Sequence, residues 1–227
     1  RDLSRETEGL TWLWPATVVM AAVAVGVYTL LLVATLLIPQ NMDDVLTAYL
    51  PRIGYWLQSN DFSPYAASAY NSVQVSYPIN AQIPPLRSIV LSDGLHFVGL
   101  DQWIAAVVSG VVVYGLALVA TARRLQAAFV SLAWVLMPAV IAQAGIMLTD
   151  MVSVTGLLMV LLFGILGWRE EKAWMLAASS LSLALLVGSK QTAFFMLPGV
   201  ALVVLAAFLK SENRRRWIAW GLGTVPL

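Results

Sequence analysis

Apolar residues are grouped along this chain in long blocks rather than in short periods. The first block runs from Trp12 to Ile38, and no charged residue occurs between Glu8 and Asp43. Charge-free runs recur at 102–122, 125–148, 151–168, 173–189 and 191–209, and another occupies 217–227. A bilayer core takes about 20 apolar residues per helix. The pattern therefore predicts six complete membrane spans, at 12–38 and the five ranges above, with an incomplete seventh at 217–227. The runs at 151–168 and 173–189 are short, which places their ends in a thinned or protein-lined region. The first block is also too long for a cleavable signal peptide, whose apolar core is roughly 7–15 residues. The expected fold is all-α: a polytopic transmembrane helical bundle, read as a single domain over 1–227.

The long polar interval, 39–100, follows different rules. Leu46, Tyr49, Leu50, Ile53, Trp56 and Leu57 recur at helical spacing, which predicts an interfacial helix over 44–58. Pro51 lies inside it and is expected to kink or split it. "SPYAASAYNSVQVSYPINAQIPP" reads as extended loop, and Pro84-Pro85 opens a second surface helix over 85–99. The chain begins at Arg1 and stops inside an apolar run, which reads as a portion of a longer polytopic protein.

Composition agrees with the block pattern. Hydrophobic residues make up 60% of the chain and charged residues 11%, far from a soluble mixture. A net charge of +1 gives no footprint for nucleic acid. With no cysteine there is no disulfide framework and no thiolate metal site. The Lys and Arg positions set the orientation. With the N-terminus in the cytoplasm, ten of the 13 fall inside and three, Arg52, Arg87 and Lys190, fall outside. The 39–100 interval then becomes an extracytoplasmic first loop containing the surface helices.

The polar chemistry gathers on that outer side. Asp43/Asp44, Asp101 and Asp150 each stand where a helical run begins, and an Asp there can cap free backbone N–H groups. Capping is the main reading for Asp101. One cap needs one carboxylate, so the adjacent pair Asp43/Asp44 points instead to cation binding or proton transfer. Lys190 is either a snorkelling lysine or an ammonium that holds a lipid phosphate, assisted by Arg52 or Arg87. His96 reads as a surface or packing residue, and Trp56 and the loop tyrosines as an aromatic belt or a platform for sugar faces. The sequence carries no phosphate-binding loop, GxGxxG, HExxH or GxSxG. No span has a mid-helix charge of the kind used by proton pumps and voltage sensors.

Four stretches in this order resemble the GT-C superfamily of polyprenyl-phosphate-dependent membrane glycosyltransferases, which includes protein O-mannosyltransferases and the aminoarabinose transferases of lipid A. "DVLTAYLPRIGYWLQ" resembles the Asp-x-x-x-Tyr-His-Leu-Pro-Arg-x-x-x-Trp stretch of bacterial members. "YPINAQIPPL" is similar to their proline-rich turn, "LTDMVSVTGLL" to the start of their fourth span, and "GSKQTAFFMLP" to their Lys-containing turn. The resemblance covers about residues 12–210 and implies the N-terminal half of an inverting enzyme in a bacterial inner membrane, with a cytoplasmic N-terminus.

The family's site residues carry over by position. Asp44 matches the catalytic base, with Asp43 as its neighbour, and Asp150 matches the second acidic residue. Lys190, Arg52, Arg87 and Tyr49 are then the substrate contacts, and a lipid-linked sugar donor is the partner. The chain has Ala48-Tyr49 where bacterial members have Tyr-His. A divalent cation between Asp44 and Asp150 is the one cofactor these residues could hold. A different class stays open: an inactive relative acting as a structural subunit of a larger membrane complex. A transporter is less favoured, since no span has a Gly/Pro-broken midplane site with charges.

Overall fold

The computed structural model describes residues 12–62, 77–121 and 123–210, and these contain helices and connections with no strand. The expected span at 217–227 and most of the extended loop, including Tyr65 and Tyr70, lie outside the described residues. Among the described residues, three helices are long and apolar enough to cross a membrane: α1 (Leu13–Leu37), α4 (Leu100–Thr121) and α7 (Asp150–Glu170). Their lengths of 25, 22 and 21 residues correspond to about 32–38 Å at 1.5 Å per residue, enough for a hydrocarbon core. α8 (Ala173–Val187) is shorter, and α9 (Ala193–Lys210) carries Pro198 in its interior. α7 packs on α4 and α8, and α4 and α1 both pack on α5 (Arg124–Val135).

The run expected to span at 125–148 is not one helix. α5 stops at Val135, a six-residue helix α6 follows (Pro138–Gln143), and 144–149 is non-helical. Pro138 is the cause: it has no N–H to continue the ladder, and its ring drives Met137 into extended backbone at φ −61°, ψ 133°. Inside a bilayer the freed backbone groups must find protein partners. They do: the Tyr28 hydroxyl donates to Val135 O at 3.1 Å, and Met137 N–H donates to Trp134 O at 3.0 Å.

Two glutamines serve the non-helical segment in the same way. Gln40 Nε2 donates to Gly145 O (3.1 Å) while its Oε1 accepts from Met147 N–H (2.9 Å). Gln102, fully buried, donates to Leu148 O and accepts from Met151 N–H at 3.0 Å. Each amide thus fills one donor and one acceptor that no helix satisfies. Gln102→Leu keeps the volume and removes both bonds, so it is expected to lower stability by about 1–3 kcal/mol for each backbone group left unpaired. Thermal unfolding in detergent measures this, and an unchanged midpoint would show that the segment does not depend on the amide.

The first loop differs from its sequence pattern in two places. Residues 43–59 form one continuous helical path, in which a wide turn at Val45–Tyr49 leads into α2 (Leu50–Ser59). Leu50 N–H reaches back to Val45 O, an i→i+5 bond, so the helix re-registers just before Pro51 instead of splitting there. Of the face expected to lie on the membrane, Ile53 and Trp56 are buried with Val45, Val98, Met147 and Leu148, and Tyr49 and Leu50 pack against them, whereas Leu46 and Leu57 stay exposed. The second helix, expected at 85–99, is α3 (Ile83–Ser92). Asp93, in the left-handed region at φ 49°, ends it. Turns occupy most of 93–99, because Asp93-Gly94 is a stop signal stronger than the apolar spacing beyond it.

Candidate functional site: a polar cavity at one end of the bundle

The C-terminal end of α1, the N-termini of α4 and α7 and the C-terminal end of α8 share one end of the bundle. The first loop folds over that end. A short 3₁₀ turn at Asn80–Gln82 docks there, with Asn80 N–H donating to Gly188 O at 2.9 Å. The approach is close enough that a Cβ at Gly188 would lie 2.0 Å from the Asn80 amide nitrogen. Below this contact is a cavity of about 400 Å³. Its walls come from four separated stretches: Asp44, Ala48 and Tyr49; Tyr77 and Pro78; Gln143 and Leu148 to Asp150; and Ser189 to Thr192.

Lys190 and Asp150 meet in this cavity as an ion pair, Nζ to Oδ1, each side chain about one-third exposed. Asp150 opens α7, where the N-cap residue Thr149 makes no side-chain cap bond and the Met151 N–H is taken by Gln102 Oε1. The Asp150 carboxylate pairs with Lys190, 40 residues away. Tyr49 stands beside the pair. Burial raises its phenol above the ordinary value, opposed by hydrogen bonding with Thr149 and by the nearby Lys190 ammonium. It is thus a neutral O–H donor at physiological pH.

The remaining expected site residues divide. Asp44 is exposed and lines the cavity. Asp43 is not among the lining residues; its carbonyl accepts the Thr47 hydroxyl at 2.7 Å. Arg52, expected to contact phosphate, is instead buried with its guanidinium over the Trp56 ring at 5.2 Å, and it does not line the cavity. Arg87 is exposed on α3, also outside the cavity. Asp101 stands in the first turn of α4, its buried carboxylate set against the backbone N–H groups of Asp101 and Gln102. The residues present do not make a divalent-cation cage. Asp150 already holds an ammonium, and the described residues contain no group of three or more His, Cys, Asp or Glu side chains. No step is assigned to a metal.

Sequence reasoning missed Gln143, Thr149, Tyr77 and Thr192 as cavity residues, and Gln40 and Gln102 as the clamps behind them. One signal was available for the glutamines: an amide beside or inside an apolar run must be satisfied by protein, so it marks a packed polar contact.

No protein-family model matches the chain, and neither does any curated protein or solved structure. The described residues by themselves form an all-α structure with three helices long and apolar enough to cross a membrane, and a polar cavity at one end.

Proposed function

We propose that the chain is a membrane glycosyltransferase, moving a sugar from a polyprenyl-phosphate donor to an acceptor hydroxyl at this cavity. The observation that carries the reading is the convergence of Asp44, Asp150, Lys190 and Tyr49 on one polar cavity at the end of an apolar bundle. The four motifs that resemble the GT-C superfamily supply the chemistry. The acceptor O–H gives its proton to the Asp44 carboxylate as its oxygen attacks the anomeric carbon. The bond from that carbon to the phosphate oxygen breaks with inversion, and its electron pair leaves on polyprenyl phosphate. Lys190 stabilises the developing phosphate charge, with Tyr49 O–H as a second donor. The bias in Lys and Arg supports a cavity facing the extracytoplasmic side.

One observation favours the second reading, an inactive structural subunit: the Lys190 ammonium is already neutralised by Asp150. Lys190→Met separates the two. In the enzyme, transfer from a polyprenyl-phosphate sugar in reconstituted vesicles is expected to fall about 10²–10³-fold, as for the loss of one donor to a developing oxyanion. In a structural subunit the unmodified chain transfers nothing, and the substitution changes only stability through the unpaired Asp150.

A further inference from the structure

α3 is apolar on both sides. Pro85 is buried, and Leu86 and Ile89 pack against the cluster of Val45, Ile53 and Trp56. On the other side Val90 and Leu91 are 60% and 73% exposed, in one stripe with Ile83, Pro84 and Arg87. The spacing 83, 84, 87, 90, 91 is a single helical face. Leu95 and Phe97 extend the exposed apolar surface along the connection to α4. A surface helix facing water carries a polar outer face, whereas this one carries a single charge. Its hydroxyls are also turned inward: Ser88 donates to Pro84 O (3.0 Å) and Ser92 to Ser88 O (2.7 Å). Such i→i−4 back-bonding hides polarity from an apolar medium.

The position of α3 selects what covers the stripe. The helix touches α4, and its exposed surface continues through Leu95 and Phe97 to Leu100, where a candidate span begins. The stripe is therefore level with the end of a membrane-facing surface and is continuous with it. Arg87, in the middle of the stripe, has no acidic partner among the described residues. A long stem in apolar surroundings with a guanidinium at its tip suits a phosphodiester at the headgroup level.

We infer that α3 is an interfacial anchor, its outer stripe set into the headgroup–acyl boundary of the bilayer with Arg87 on lipid phosphate. The inference is independent of the glycosyltransferase reading. It also reassigns Arg87 from the sugar donor to the bulk lipid.

The chain has no native cysteine, so single nitroxide labels report directly. Leu91→Cys and Val90→Cys would be labelled in the full chain, reconstituted in phosphatidylcholine vesicles with and without phosphatidylglycerol. Asn60→Cys, at the exposed end of α2, serves as the comparison. Collisions with oxygen should exceed those with a water-soluble nickel chelate at 90 and 91, with the ratio reversed at 60. Arg87→Glu should raise nickel access at 91, most strongly with the anionic lipid. Nickel exceeding oxygen at both 90 and 91 overturns the anchor, because the stripe then faces water. Low access to both reagents also overturns it. If that protection depends on the protein-to-lipid ratio the cover is a second copy, and otherwise it is another part of the chain. No response to Arg87→Glu overturns the phosphate contact.

Discussion

Gly145→Ala is expected to destabilise the chain by roughly 2–5 kcal/mol, through overpacking and a strained backbone together. Gly145 has φ 90°, a conformation L side chains rarely adopt, and a Cβ there would lie 2.1 Å from Thr35 Oγ1. Its carbonyl is equally confined, since a Cβ on Gly99 would come within 2.1 Å of Gly145 O. The Thr35 side chain of α1, the backbone just before α4 and the non-helical segment thus meet where there is no room for a methyl group. Because a folded domain is stable by only about 5–15 kcal/mol, the loss is a large part of the total.

The two causes can be separated. Thr35→Ala removes Oγ1, leaving the Thr35 Cβ position, 3.4 Å away, as the nearest of the Thr35 atoms. Combining it with Gly145→Ala should recover the steric part and leave the part due to positive φ, as a double-mutant cycle in thermal stability. A Gly145→Ala protein with an unchanged unfolding midpoint would contradict the close packing described here.

On the proposed function, Asp44→Asn is expected to reduce sugar transfer about 10²–10⁴-fold, the usual cost of losing a general base. Asn keeps the size of the side chain and its ability to cap a helix, so stability should change little. Asp43→Asn should leave transfer near the unmodified rate, because Asp43 does not line the cavity. The pair therefore forms an internal control, two adjacent carboxylates of which one lines the cavity. Transfer measured from a polyprenyl-phosphate sugar, alongside unfolding in detergent, distinguishes a lost base from a misfolded protein. A stable Asp44→Asn protein that transfers at the original rate would eliminate Asp44 as the base. Equal losses at 43 and 44 would point to general negative charge at the cavity mouth instead.

Much of the architecture was legible because it is written in composition along one dimension. Blocks without charge mark α1, α4 and α7, since twenty apolar residues in water are costly wherever they fold. Helical spacing, together with Pro84-Pro85, marked two helices in the first loop. The candidate site was partly legible for a related reason. Asp44, Asp150 and Lys190 are charges at the edges of apolar runs, and bundle ends gather such edges.

What the sequence determined by itself is therefore an all-α chain with apolar segments of membrane-crossing length and a polar first loop. The tertiary structure alone decided three further things: that 125–148 breaks at Pro138, that Arg52 turns to Trp56, and that Lys190 is paired with Asp150. Each depends on where a backbone or charged group finds its partner. The carbonyl freed at Val135 is met by Tyr28, 107 residues away, and the segment at 145–148 by Gln40 and Gln102. Burial of an apolar block is a property of the block itself. Satisfaction of a buried polar group is a property of two distant places at once, and only the fold brings those places together.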